Sequence, residues 1–322
     1  MPTGRSTDCS DDQGRRVPAS RKSCEIELHG RIPAMSIKSI VAPIRGDGKG
    51  EWVLGLALAI GGKFNSHVDV LHIHARPQDM IPRGVPLTNA FKGTILEAAT
   101  TQAKQEEERL EALFDKYCKA HDLDVVPADA GEFPGNRLSV SWHEVEGKQA
   151  NVIRNEVRFC DMIVVPQPDR AAALGMNTLQ AALFDVRKLT AIAPHREVSG
   201  KCNHVAIAWN GSSEAARAVN SALPILSLAG KVSVLVANDE DGGQTRSKSL
   251  RRYLLLHGIA SGIQTFERGG SVGGAILDKI SSIGADLLVM GAFGTQKRSD
   301  MVLGGVTQYV LEKADFPILM AH

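Results

Sequence analysis

Asp286-Leu287-Leu288-Val289-Met290-Gly291-Ala292-Phe293-Gly294, nine further residues, and then Gly304-Gly305-Val306-Thr307 is the stretch whose reading decides the fold. Residues 286–290 form a short apolar run closed by glycine, the pattern of a buried strand. From Val306 to Lys313 the apolar residues recur at helical spacing. The order is therefore strand, glycine-rich loop, helix. Glycines just past a strand let backbone approach a ligand closely, and free N–H groups at a helix start attract anions, phosphate above all.

Working outward, the residues before and after this stretch alternate between strand and helix patterns. Strands are predicted at Val205–Trp209, Val232–Val236, Gln264–Glu267 and Phe316–Met320, with helices at Ala215–Leu226, Arg246–His257 and Gly274–Ile283. The turn Asn210-Gly211-Ser212-Ser213-Glu214 offers a helix cap, and Ser271 offers another. The first half has the same order: strands at Ile40–Ile44, Val68–Ile73, Ser139–Val145, Asp161–Val165 and Leu189–Ala193. A long helix spans Thr94–Ala120, further helices span Gln149–Phe159 and Thr178–Arg187, and Arg76–Gly93 is an irregular insertion. Gly211 follows Gly46 by 165 residues and Asp286 follows Asp161 by 125, so the chain is an internal repeat whose first copy is about 40 residues longer. Alternation of this kind predicts an α/β fold, with open parallel sheets covered by helices on both faces. The expected division is 1–34 as a disordered extension, 35–198 as the first domain and 199–322 as the second. Met35, just before the first strand, is a candidate translation start.

Composition narrows the class. The 322 residues are 43% hydrophobic and 23% charged, as in soluble globular proteins. A net charge of +1 gives no broad basic surface for nucleic acid, and no apolar run is long enough to span a bilayer. Five cysteines, Cys9, Cys24, Cys118, Cys160 and Cys202, are scattered without a C-x-x-C pair, which reads as reduced thiols of a cytoplasmic protein.

Gly-x-x-Gly, nine residues, Gly and a nearby hydroxyl resembles the nucleotide loop of the universal stress protein family, and 285–294 and 303–307 are similar to it nearly residue by residue. The resemblance implies a tandem two-domain form, each domain with strand order three-two-one-four-five. It further implies a crevice between strands one and four of the second domain. There it places ATP or another adenine nucleotide, with Mg2+ as an optional companion. The base lies near Ala208 and Val236-Ala237, the ribose near Asn210, and the phosphates on Gly294 and on Gly304, Gly305, Val306 and Thr307, with Gly211 and Gly291 beside one another in the crevice. Lys297 and Arg298 lie within reach of a triphosphate. The family commonly has Asp where Asn210 stands and Ser or Thr where Gly305 stands. The resemblance also implies that the fifth strands pair between domains, replacing the dimer contact of single-domain relatives; a homodimer and a protein partner are further expectations.

In the first half, Pro166 stands for Gly291 and Asp169 for Gly294, while Asn177, Thr178 and Gln180 stand for Gly304, Gly305 and Thr307. Proline removes an N–H donor and aspartate places negative charge where phosphate would lie, so no nucleotide is expected there. His72 and His74 share one face of a strand, which could hold a metal but reads more simply as a satisfied strand-end pair. Glu106-Glu107-Glu108 reads as the wet face of the long helix. Gly269–Gly274 lacks the Gly-Lys-Ser/Thr ending of a P-loop, and no Gly-x-Ser-x-Gly elbow with an acid and a histidine is present. The expected function is a nucleotide-binding regulator of the stress response with no catalytic residues. Two alternatives stand beside it: a nucleotide-free interaction module, and an enzyme resembling ATP pyrophosphatases, whose Ser-Gly-Gly-x-Asp-Ser loop is missing here.

Overall fold

In the computed structural model, ten of the strands belong to two copies of one pattern. Residues 36–74, 88–169, 175–198, 200, 202–238, 243–292 and 305–322 are described, without the side chains of 89–92 and 243–246. The first half runs β1 (Ser39–Ile44), α1 (Gly50–Phe64), β2 (His67–His74), α2 (Asn89–His121), β3 (Asp124–Val125), β4 (Ser139–Glu146), α3 (Gln149–Glu156), β5 (Met162–Pro166), α4 (Met176–Gln180) and β6 (Leu189–Ala193). A π-helical segment, Ala181–Val186, continues α4. The second half runs β7 (His204–Ala208), α5 (Ser213–Leu228), β8 (Lys231–Ala237), α6 (Gly243–Leu256), β9 (Ser261–Phe266), α7 (Val272–Ile283), β10 (Leu287–Gly291), α8 (Gly305–Lys313) and β11 (Ile318–Ala321).

Each half has the expected order, β4-β2-β1-β5-β6 and β9-β8-β7-β10-β11, with all pairs inside a half parallel. The two sheets are nevertheless one. β6 and β11 pair antiparallel, Thr190 opposite Met320 and Ile192 opposite Ile318, so each fifth strand closes the other's open edge. The short β3 extends the first half by one strand. Helix bounds also shift: α2 begins at Asn89, inside the expected insertion, and α3 stops at Glu156. The expectations for 1–34 and for most of the proline segment fall outside the described residues.

Two apolar clusters form the core, one on each face of the sheet, and each continues through both halves. Val53, Leu54, Leu110, Val219 and Leu226 belong to one; Ile153, Leu179, Ile276, Val310 and Leu311 belong to the other. The repeat is also visible in polar detail. The Asp161 carboxylate accepts the N–H groups of Lys38 and Ser39 at 2.7 and 3.1 Å, and Asp286 accepts those of Asn203 and His204 at 2.8 and 3.1 Å. Each aspartate thus ties the start of strand four to the start of strand one with charge-assisted bonds.

Candidate functional site: two equivalent crevices

The crevice in the second half follows from where the helices go. After β7 the chain enters α5, whose Ala218, Val219 and Ala222 pack on one face of the sheet. After β10 it returns as α8, whose Val310 and Leu311 pack on the other. β7 and β10 are neighbours, with Ala208 opposite Met290, so the chain leaves adjacent strand ends in opposite directions and opens a cleft between them. Ala208 and Gly291 lie on its floor. Val236 ends the next strand, but its side chain is buried in the core, so only its backbone faces the strand ends.

The two helix starts differ. At α5, Ser212 accepts the Ala215 N–H at 3.1 Å, and the Glu214 carboxylate accepts the Ser213 hydroxyl at 3.0 Å. Burial raises the Glu214 pKa, but its own backbone N–H, Ser213, Ser212 and Arg217 outweigh that and hold it below the usual range. The Glu214 and Ala215 N–H groups at the start of α5 are therefore already engaged. At α8, Gly305 opens the helix and Thr307 is buried in its first turn. Asn210 spends its acceptor on the turn, taking the Ser212 N–H at 3.0 Å, and leaves its amide N–H groups exposed. Gly211 holds a φ of 75° there, in the region that favours glycine.

Gly291 and Gly305 differ in what surrounds them. A Cβ at Gly291 would stand 2.5 Å from the Ala215 nitrogen and 2.7 Å from the Glu214 carbonyl carbon, so packing against α5 alone demands glycine. At Gly305 no described atom comes within 4 Å and the backbone is not left-handed. Phe293 to Gly304, including Gly294, Gly304, Lys297 and Arg298, lie outside the described residues.

The first-half crevice is filled by its own chain. Lys49, the counterpart of Glu214, is 7% exposed; its Nζ donates to the Gln167 carbonyl at 3.4 Å and lies 3.9 Å from the Asp169 carboxylate. Glu106 does not lie on the wet face of α2. It turns inward and accepts the Gly46 N–H, a donor equivalent to that of Gly211. His72 stands where Val236 stands in the second half. It is 1% exposed, its ring nitrogens have no hydrogen-bond partner, and Glu106 and Glu144 lie 3.9 and 3.7 Å from them. The histidine pair is thus adjacent, with ring centroids 5.8 Å apart, but His72 is not satisfied. Among the described residues no group of three or more His, Cys, Asp or Glu is arranged to hold a metal ion. Sequence reasoning missed Lys49, Glu106 and Gln167, because their partners are 118, 60 and 144 residues away.

A separate cleft of about 720 Å3 lies between α1 and the starts of β7 and β10, lined by Leu56, Ile60, Arg196, Cys202, Asp278 and Phe316 among others. It sits at the opposite end of the strands from the switch point, where parallel sheets do not place their ligands.

Residues 202–322 match the model of the Universal stress protein family. The second half is a universal stress protein domain. Solved structures extend the fold over both halves: a universal stress protein from Archaeoglobus fulgidus aligns with a TM-score of 0.60 at 15% identity, covering 88% of this chain and 97% of that one. A functionally unknown protein and a putative universal stress protein, both from Pseudomonas aeruginosa, align with TM-scores of 0.52 and 0.51 at 17% and 16% identity, each covering 88% of this chain and 92% of the other. No curated protein matches the sequence. The universal stress protein domain is thus joined to a first half of the same fold whose crevice is closed. Among the described residues no helix is long and apolar enough to cross a membrane.

Proposed function

We propose that the C-terminal domain binds an adenine nucleotide in the cleft between β7 and β10, and that the protein acts as a regulator by binding, without chemistry of its own. The observation that carries this reading is the parting of β7 and β10, whose following helices pack on opposite faces of the sheet and leave a crevice at the strand ends. No described atom lies within 4 Å of a Cβ built at Gly305, which leaves room for a ligand at the start of α8. The phosphates rest on the start of α8, with Thr307 beside them. The base lies over Ala208 and the backbone of Val236-Ala237, and the Asn210 amide donates to the ribose. ATP is the proposed ligand. No described acid faces the cleft as a base except Glu214, whose carboxylate is held by its own helix start. Occupancy would bias the conformation or a partner surface.

Glu214 also favours a second reading, a nucleotide-free interaction module, because it places negative charge beside Gly291 at the mouth of the cleft. Gly305→Asp separates the two. An aspartate in the first turn leaves a helix as stable or slightly more so, yet repels phosphate. Titration calorimetry with ATP is expected to show binding by the wild type and at least a roughly tenfold loss in the variant, with unchanged thermal stability. Absence of heat with the wild type would select the nucleotide-free module.

A further inference from the structure

The filled first crevice is physically joined to the helix that carries the second site. Gln167 follows β5 directly and is only 6% exposed. Its amide Nε2 donates to the carbonyls of Leu311 and Ala314, the latter at 3.0 Å. These carbonyls lie at the C-terminal end of α8, where a helix leaves its acceptors without internal partners. Gln167 is itself held by the first half. Its Oε1 accepts the His195 N–H at 3.3 Å, and its carbonyl accepts His195 Nε2 at 2.8 Å and Lys49 Nζ. The His195 ring stacks on Trp52 of α1, 5.4 Å between centroids. Arg196 adds a second tie, donating through Nε to the Asp315 carbonyl.

We propose that Gln167 is a positioning residue for the nucleotide site: the first half, having closed its own crevice, braces the far end of α8 and so fixes the helix start that receives phosphate. This rests on the nucleotide reading. The physical need is plain, since α8 has nine residues and a helix that short does not persist on its own. The arrangement is one-way. The counterpart of Gln167 is Ala292, whose side chain has no polar atom to offer in return. Lys49, which fills the first crevice, touches the same Gln167 residue, so displacement of Lys49 would reach α8 through one side chain.

The test uses the full-length protein and two variants. Gln167→Glu keeps the volume but turns a donor into an acceptor facing two carbonyls; Arg196→Ala removes the second, exposed tie. Lys49, His195 and Asp169 are the charged or titratable groups around position 167, and Asp315 follows Ala314. Hydrogen exchange of residues 305–313 is measured without nucleotide, and ATP affinity by calorimetry. For Gln167→Glu at neutral pH, exchange in α8 is expected to be about tenfold faster than in the wild type and ATP affinity about tenfold weaker. Both differences are expected to shrink in acid, where the introduced carboxyl is protonated and donates again, a trend that a mere packing role would not produce. Arg196→Ala is expected to move both readouts in the same direction by less, and it decides the matter should Gln167→Glu not fold. Exchange in α8 and ATP affinity equal to the wild type would overturn the brace. If the wild type binds no ATP, the nucleotide reading fails, while the exchange measurement still decides whether Gln167 holds α8.

Discussion

The two crevices share a scaffold and differ in what occupies them. Both lie between strands one and four, both follow an aspartate that ties those strands at their starts, and both are flanked by helices on opposite faces. In the first, Lys49, Asp169, Glu106 and His72 converge on the strand ends. In the second, Glu214 and Val236 stand at the positions of Lys49 and His72, and the shorter α6 replaces the long α2 that carries Glu106. The comparison teaches that a parallel sheet fixes where a crevice lies, while the side chains at its switch point decide what occupies it.

The largest effect is expected from Gly291→Ala. With a backbone nitrogen 2.5 Å from the new Cβ, either β10 or α5 must move. Overpacking of this kind costs about 1–3 kcal/mol or more. Chemical denaturation should show this loss, whereas Gly305→Ser, where no described atom is near, should leave stability unchanged; equal behaviour of the two would erase the distinction between a packed glycine and an unpacked one.

Next come the tying aspartates. Asp161→Asn and Asp286→Asn each weaken two charge-assisted bonds, and each should cost about 1.5–3 kcal/mol by urea unfolding. Similar losses would confirm that the repeat preserves the scaffold even where it abandons the site; a loss in only one half would break the equivalence.

The largest pH dependence should come from the first half. Burial raises the Asp69 pKa, but hydrogen bonds from His143, His67 and Ser141 more than reverse this and hold the carboxyl far below its ordinary value. A depressed folded pKa stabilises above the unfolded value and is lost as pH falls. Asp69→Asn should therefore be less stable than the wild type at neutral pH, the gap narrowing below about pH 4. Thermal melts from neutral to strongly acidic pH measure it, and a gap independent of pH would refute the assignment.

Smaller still is His72→Leu. Removing a buried ring whose nitrogens lack hydrogen-bond partners should be close to neutral, or stabilising by about 1 kcal/mol. Strong destabilisation would mean that the Glu106 and Glu144 carboxylates hold the first crevice shut through His72. The least change is expected at the thiols. Burial pushes Cys160 up to about 12 and Cys118 and Cys202 up to about 11, so native protein should resist alkylation at all three until it is denatured.

Legibility followed the range of the interactions. Val205–Ala208 and Leu287–Gly291 were readable as strands because both faces of a parallel strand are buried and the apolar run records it. Ser212 and Ser271 were readable as caps because a cap and the N–H it accepts lie three residues apart. Asp169 was legible as a negative charge after β5, but its pairing with Lys49, 120 residues upstream, was not. Glu106 was misread, because three glutamates on a polar helix look alike until one of them meets Gly46 sixty residues away. His72 was misread for the same reason: its want of a partner depends on Glu106, Glu144 and Trp142, brought in by α2 and β4.

The amino-acid order by itself determined the alternation of strand and helix, the repeat, and the glycine loop that marks the second half, since all of these rest on periodicity and near-neighbour chemistry. Only the tertiary structure decided that two sheets become one through β6 and β11, that Lys49 and Glu106 close the first crevice, and that Gln167 reaches the end of α8. Those contacts join residues far apart in the chain, and a donor or a charge carries no sign of its partner until folding places the two within about 3 Å.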